Sequence, residues 1–96
     1  MGYSKSDLLQ FNESQLTAMI GIMEEIHEQM LASKNSYDDY VVNQLSPVWT
    51  TDNGRKSISD LQKFSEQDIQ NFLNYINSRI EDLNSALENV KNINIA

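Results

Sequence analysis

The stretch SPVWTTDNG, residues 46–54, decides how this chain of 96 residues folds. It contains the only proline (Pro47), the only tryptophan (Trp49) and one of the three glycines (Gly54). Pro47 cannot continue a preceding helix, and it disfavours helical backbone at Ser46. The Thr, Thr, Asp and Asn residues that come after Trp49 are types that cap the start of a helix. The stretch therefore predicts a bend between two helices, marked by Pro47, Trp49 and Gly54.

Two long segments with helical periodicity flank this bend. At about 100° per residue, the apolar residues of each segment fall on one stripe. In the first segment, residues 6–45 approximately, the stripe comprises Leu9, Leu16, Met19, Ile20, Met23, Met30, Tyr37, Val41 and Leu45. In the second, residues 54–91 approximately, it comprises Ile58, Ile69, Phe72, Leu73, Ile76, Ile80, Leu83, Leu87 and Val90. The remaining tail, residues 92–96, is expected to fray.

These features predict one all-α domain over residues 1–96, an antiparallel helical hairpin with its bend at residues 46–53. A connection this short holds two helices side by side, and Trp49 is expected to cover the end of the seam between them. Further apolar residues lie off the two stripes and form a flank. They are Ile22, Ile26, Leu61, Phe64 and Tyr75. Such a flank predicts assembly into a four-helix bundle, either with a second copy or with a different helical protein.

Composition excludes several functional classes. Fourteen acidic against seven basic residues give a net charge of −7, which disfavours a nucleic-acid partner. The chain has no cysteine, so neither a disulfide framework nor a thiolate zinc site is expected. No stretch reaches the length of apolar sequence that spans a membrane. The N-terminus lacks the apolar core of a cleavable signal peptide.

Catalysis and cofactor binding find little support in the residues. The single histidine, His27, lies in a Glu24-x-x-His27 pattern that is half of a di-iron carboxylate site. The glutamates of the second segment lie far from its apolar stripe, so they do not complete such a site. His27 is instead interpreted as a histidine that faces the seam. We therefore expect no enzyme activity, no metal and no cofactor.

A hairpin of about a hundred residues with a tryptophan in a short central bend resembles the WXG family. These proteins are small substrates and partners of bacterial type VII (ESX) secretion. The family carries Trp-x-Gly at the bend, whereas this chain has Trp49-Thr50-Thr51 and then Gly54 three residues later. It is more similar to the divergent relatives that accompany LXG-domain toxins and help present them for export.

The resemblance extends to a short export signal, an aromatic residue four positions before an acid. In the LXG-associated branch the signal reads Phe-x-x-x-Asp, which Phe64 and Asp68 match. A pattern this short also arises by chance, and Tyr3 and Asp7 form a second match. Phe64 and Asp68 lie off the apolar stripe, where a recognition pair would be accessible. The alternative interpretation is a partly buried flank Phe beside a solvated Asp.

Three functions remain open from the sequence. The first, implied by the resemblance, is a partner that binds the helical domain of an LXG-type toxin. It would reside in the bacterial cytoplasm, could also contact the secretion ATPase, and would leave with the toxin through the type VII system. The second is a WXG-like protein that dimerises with itself and is secreted alone. The third is an intracellular adaptor or antitoxin-like helical module.

Overall fold

A computed structural model describes the backbone of residues 5–95 and the side chains of residues 12–93. It confirms the predicted fold class: the protein is an all-α helical hairpin, with no strand among the described residues. The first arm consists of helix α1, Lys5–Asp39, and a π-helical segment, Tyr40–Leu45. The second arm consists of helix α2, Asp52–Lys63, a π-helical segment, Phe64–Ile69, and helix α3, Gln70–Ile95.

Two of these bounds differ from the sequence expectations. Helix α2 begins at Asp52 rather than near Gly54, and α3 continues to Ile95 rather than ending near Lys91. The two π-helical segments were not predicted. A π-helical turn closes hydrogen bonds from i to i+5, so it accommodates one extra residue without breaking the helix. Apolar periodicity alone does not reveal such a turn.

The bend is built from a few backbone hydrogen bonds. The N–H groups of Val48 and Trp49 both donate to the carbonyl of Leu45, at 3.1 and 3.0 Å. The N–H of Ser46 donates to the carbonyl of Val41 at 2.9 Å. The backbone of Ser46 stays helical, with φ −55° and ψ −42°, so the expectation that Pro47 displaces it was wrong. The π-type bond to Val41 holds Ser46 on the helical path up to the proline itself.

The chain forms two compact units, each with its own buried residues. The terminal unit comprises Met1–Ile26 and Ile76–Ala96, and the bend unit comprises His27–Tyr75. In the terminal unit the buried apolar side chains are Ile20, Met23 and Ile76. In the bend unit they are Val41, Ile58 and Leu73. All six belong to the predicted stripes.

Two residues that the periodicity placed on the stripes are exposed instead. Met19 and Phe72 each precede a buried residue, Ile20 and Leu73 respectively. Adjacent residues of a helix point about 100° apart, so only one of each pair can face the interior. None of the helices within residues 5–95 combines the length and hydrophobicity that crossing a bilayer requires.

Candidate functional site

The bend unit contains an apolar groove beside the turn. Its volume is 590 Å³, and it opens widely to solvent. The residues that line it come from both arms and from the bend: Tyr37, Trp49, Ser57, Asp60, Leu61 and Phe64. Three of the six are aromatic, and Asp60 is the one charged residue among them. This composition suits the binding of an apolar or cationic group rather than proton transfer.

Trp49 reaches the groove because Gly54 leaves room for its ring. A Cβ atom added at Gly54 would lie 2.7 Å from Cγ of Trp49 and 2.8 Å from its Nε1. Real Cβ contacts are not this short, so the indole lies directly on the Cα of Gly54. Trp49 as a whole nevertheless stays 40% exposed. Trp49 is thus fixed at its base by Gly54 and presents part of its surface to solvent.

The position of Gly54 is set by the cap of helix α2. Thr51 has extended backbone, with φ −66° and ψ 161°, and its hydroxyl oxygen accepts a hydrogen bond from the N–H of Gly54 at 3.1 Å. Its carbonyl accepts from the N–H of Arg55 at 2.9 Å. Asp52 lies in the first turn, where a negative charge is favourable. Thr51 is therefore the cap among the four candidates at residues 50–53.

Tyr37 lines the groove and joins the two arms. Its hydroxyl donates a hydrogen bond to the carbonyl of Leu61 at 2.8 Å. Its ring lies 6.1 Å from that of Phe64, centroid to centroid, with the ring planes tilted by 54°. Tilted aromatic pairs at this distance add stability beyond the area they bury. Burial is the main cause that raises the pKa of Tyr37, and the charge of Asp38 adds to it, so the phenol stays a donor.

A polar cluster lies next to Tyr37. The ammonium of Lys34 is 3.0 Å from a carboxylate oxygen of Asp38, and Ser65 is fully buried beside them. The Ser65 hydroxyl approaches the Asp38 carboxylate without closing a hydrogen bond of ordinary geometry. This hydroxyl is the largest cause that lowers the pKa of Asp38; Lys34 also lowers it, and burial opposes both. Asp38 is therefore not a freely solvated charge, because it pairs with Lys34 and faces Ser65.

We predict that Ser65→Ala raises the pKa of Asp38 toward its ordinary value, about 3.9. The pKa of Asp38 is lower in the folded protein than its ordinary value. The ionised carboxylate therefore stabilises the fold at pH values above the ordinary pKa. The contribution is lost as the pH falls through the folded-state pKa. In Ser65→Ala the loss of stability below about pH 4 should be shallower, while stability at neutral pH changes by less than about 1 kcal/mol.

Carboxyl-carbon NMR titration of both proteins would measure this pKa directly. Ser57→Ala is the matched control, because Ser57 lies in the same unit and is not among the groups that shift Asp38. An unchanged Asp38 titration in Ser65→Ala would contradict the assignment of the buried hydroxyl as the main cause.

The other predicted site residues differ in their exposure to solvent. Phe64 lies at the edge of the groove, 48% exposed, and Asp68 is exposed in the same π-helical segment. The flank residues Ile22, Ile26 and Tyr75 are exposed, whereas Leu61 is half-buried and lines the groove. Pro47 is exposed in the turn, and His27 is half-buried. Tyr3 lies outside the described residues, and the side chain of Asp7 is not among those described.

Sequence reasoning missed the polar members of this site. Ser65 lies seven residues, one heptad, after the buried Ile58. Because serine is polar, Ser65 was not counted in the apolar stripe. No pattern in the sequence indicated that Asp60 or Ser57 belongs to this site. Within the described residues, no group of three or more His, Asp or Glu side chains is placed to hold a metal ion.

No family model, no curated protein and no solved structure matches this chain.

Proposed function

We propose that this chain is a non-enzymatic partner protein that binds a second helical protein. In the full proposal, the partner is the helical domain of an LXG-type toxin, and the two leave a bacterial cell together through type VII secretion. Exposed apolar side chains are the observation that carries the binding function. The WXG-like bend and the Phe64 and Asp68 pair support the secretion context.

The balance between buried and exposed apolar side chains is unusual for a chain that works alone. Among the described residues, six large apolar side chains are buried and twelve are exposed. Single exposed apolar residues are ordinary, but a set that outnumbers the core indicates surface that another molecule covers. Burial of each large side chain against a partner contributes about 1.5–3 kcal/mol, which favours assembly. A small domain gains stability from a partner in the same way that it gains from a larger core.

The exposed set includes four of the five residues predicted as the partner-binding flank. Ile22, Ile26, Phe64 and Tyr75 are each at least 36% exposed. Phe64 also borders the groove beside Trp49, so an aromatic or aliphatic side chain of a partner could enter there. The fifth, Leu61, contributes to the groove wall. These placements suit protein binding.

Co-expression tests the binding function. The chain would be produced alone and with the N-terminal helical domain of an LXG toxin, and light scattering would give the mass of each product. We expect a stable complex of the two proteins, with a melting temperature above that of the chain alone. A chain that stays monomeric in the mixture, with an unchanged melt, would refute the proposal. A homodimer that excludes the toxin domain would favour the self-associating alternative.

We predict that replacing both Phe64 and Asp68 with alanine blocks export while folding and partner binding persist. Phe64 is half exposed, so its truncation should cost less than the roughly 3–5 kcal/mol typical of a core Phe. Asp68 is exposed, and its replacement should change stability by about 0.5 kcal/mol or less. Secretion assays on cells that carry the variant would measure export of the cargo.

Phe72→Ala is the matched control for export. Phe72 is also an exposed phenylalanine of the second arm, but it lies outside the signal pattern. Export should be normal in Phe72→Ala. Normal export of the double variant would show that the Phe64 and Asp68 pattern is a coincidence, and the binding function would then stand without it.

A further inference from the structure

The groove beside the bend contains one charge that has no counterpart. Of the six residues that line it, only Asp60 is charged. Among the described residues, the Asp60 carboxylate forms neither an ion pair nor a hydrogen bond. Asp38, the acid next to Tyr37 in the chain, already pairs with Lys34 at 3.0 Å. Asp60 is therefore an acid at this site that remains available to a ligand.

The lysines of helix α2 lie on the other side of Asp60 from the groove. At about 100° per residue, the lining residues Ser57 and Phe64 fall roughly 60° and 40° to one side of Asp60. Lys56 and Lys63 fall roughly 40° and 60° to the opposite side. Both lysines are exposed to solvent. A cation that meets Asp60 within the groove therefore comes from another molecule rather than from this helix.

Three aromatic side chains line the groove together with Asp60. They are Tyr37, Trp49 and Phe64. The rings of Tyr37 and Phe64 lie 6.1 Å apart with their planes tilted by 54°, so they present walls of different orientation. Aromatic faces attract cations, and the attraction grows where water is excluded. Aromatic walls with a single carboxylate are thus suited to a weakly hydrated cation.

The mixture of apolar and charged lining selects the kind of side chain that fits. An aliphatic or aromatic side chain would fill the groove but would cover Asp60 without neutralising it, which is unfavourable. A lysine ammonium is strongly hydrated and would lose that water on entering. The guanidinium of arginine is more weakly hydrated, stacks on aromatic faces and forms two parallel hydrogen bonds to a carboxylate. Its stem is apolar, so arginine suits both parts of the lining.

The openness of the groove indicates that the cation belongs to a protein. Its volume of 590 Å³ lies within the range of ligand sites, about 300–1,000 Å³, but it opens widely to solvent. Sites for small molecules cover most of the surface of their ligand. A free cation would stay largely in water here. A side chain of a docked protein needs no such enclosure, because the rest of the interface holds it in place.

We propose that this groove binds an arginine side chain of the helical partner, with the guanidinium paired to Asp60 and stacked against the aromatic walls. This inference rests on the proposed function and adds the residue type by which the partner is recognised. The arginine is one contact among several. Its loss therefore weakens the complex without abolishing it.

Trp49 provides a readout on the full chain, because it is the only tryptophan and lines the groove. Titration with N-acetylarginine methylamide should shift the NMR signal of the Trp49 indole N–H until the site is saturated. The citrulline analogue has a similar shape without the charge, and it should bind at least about tenfold more weakly. Equal binding of the arginine and citrulline compounds would overturn the charge assignment. A lysine analogue that binds as tightly as the arginine compound would overturn the choice of arginine.

Two variants locate the binding site of the arginine compound. Asp60→Asn keeps the shape of the side chain and should weaken binding by about tenfold or more, while binding of the citrulline analogue stays the same. Glu66→Gln is the matched control, since Glu66 is an exposed acid of the same arm outside the groove lining. Thermal melts by circular dichroism would verify that both variants fold. Equal binding by the two variants would show that Asp60 does not hold the cation.

The complex with the LXG toxin domain tests the source of the arginine. Asp60→Asn should weaken this complex by about tenfold, and Glu66→Gln should leave it unchanged. The arginines of the toxin domain would then be replaced by glutamine one at a time. One of these replacements should weaken the complex with the original chain but have little further effect in the Asp60→Asn background, as for two residues in direct contact.

The outcomes separate this inference from the proposed function. A toxin complex that tolerates Asp60→Asn would overturn the arginine contact while leaving the partner function intact. Self-association that Asp60→Asn weakens would identify a second copy as the source of the cation and would overturn the partner's arginine. Failure of any toxin complex to form would refute the proposed function, and with it the partner as the source, even where the arginine compound still binds the groove.

Discussion

Replacing Gly54 with alanine should lower the free energy of unfolding by about 1–3 kcal/mol, the range for overpacking a tight contact. The added Cβ would lie 2.7 Å from Cγ of Trp49, at the root of the ring rather than at a flexible tip. Either the indole must rotate out of the groove or the bend must open. For a domain of this size, each kcal/mol corresponds to a shift of about 4–8 °C in melting temperature. Thermal and urea unfolding would both measure the effect.

The chain supplies its own control for this substitution. Gly21→Ala adds the same methyl group to the interior of a helix, but nothing lies within 4 Å of it. It should stabilise the free chain by about 0.8–1 kcal/mol, because alanine is the better helix former. The two Gly→Ala variants are thus expected to shift stability in opposite directions. Equal shifts would contradict the close contact between Trp49 and Gly54.

A double variant identifies the source of the strain. Trp49→Ala alone removes the ring that lies on Gly54, and some stability with it. In the Trp49→Ala background, Gly54→Ala should cost little, because the colliding ring is gone. The coupling energy from this double-mutant cycle should be about 0.5–3 kcal/mol, as for residues in direct contact. A coupling near zero would place the cost of Gly54→Ala elsewhere, for instance in the cap at Thr51.

The fold could be predicted from the sequence because its signals are long and repeated. Nine apolar positions on each segment, separated by a stretch with the only proline, leave few alternatives to a helical hairpin. The six buried apolar residues all belong to those stripes. Over several turns, errors in single positions cancel, so the face that is buried emerges clearly.

Individual positions and polar contacts could not be predicted in the same way. A stripe calculated at 100° per residue assumes a uniform α-helix, whereas each π-helical segment adds a residue and shifts the phase of the residues after it. Ser65 is buried because a small side chain fits between the arms, and hydropathy does not register size. The partners of Asp38 are Lys34 and Ser65, and Ser65 lies 27 positions away in the chain. Such pairings depend on the register of the two arms.

The contact between Trp49 and Gly54 illustrates the limit for the candidate site. The sequence marked both residues as features of the bend, and their separation of five residues was visible. Their mutual packing depends on the cap at Thr51, which places Gly54 under the indole. Four residues at 50–53 could have provided that cap, and each would have rotated the start of helix α2 differently. The geometry of the groove therefore required the structure.

Leu73→Ala should destabilise the protein by about 2–5 kcal/mol, the largest effect expected of a single truncation in the bend unit. Leu73 is only 2% exposed, and its removal would leave a cavity that the surrounding helices can only partly fill. Small domains are stable by about 5–15 kcal/mol in total, so the loss would be a large fraction of the whole. Urea unfolding followed by circular dichroism would give both the midpoint and the slope. A reduced midpoint with an unchanged slope is the expected outcome.

The neighbouring residue makes this prediction a test of the structure rather than of hydrophobicity. Phe72 is the larger side chain and lies on the same stripe by sequence, but it is 40% exposed. If periodicity alone were correct, Phe72→Ala would cost roughly 3–5 kcal/mol, as much as Leu73→Ala or more. The structure instead predicts about 1 kcal/mol or less for Phe72→Ala in the free chain, since most of the cavity and transfer cost would be absent. A larger loss in Phe72→Ala than in Leu73→Ala would mean that the second arm is rotated by about one residue, or that a second copy covers Phe72. Repeating both melts at several protein concentrations would separate these two causes, because only association makes the melting temperature depend on concentration.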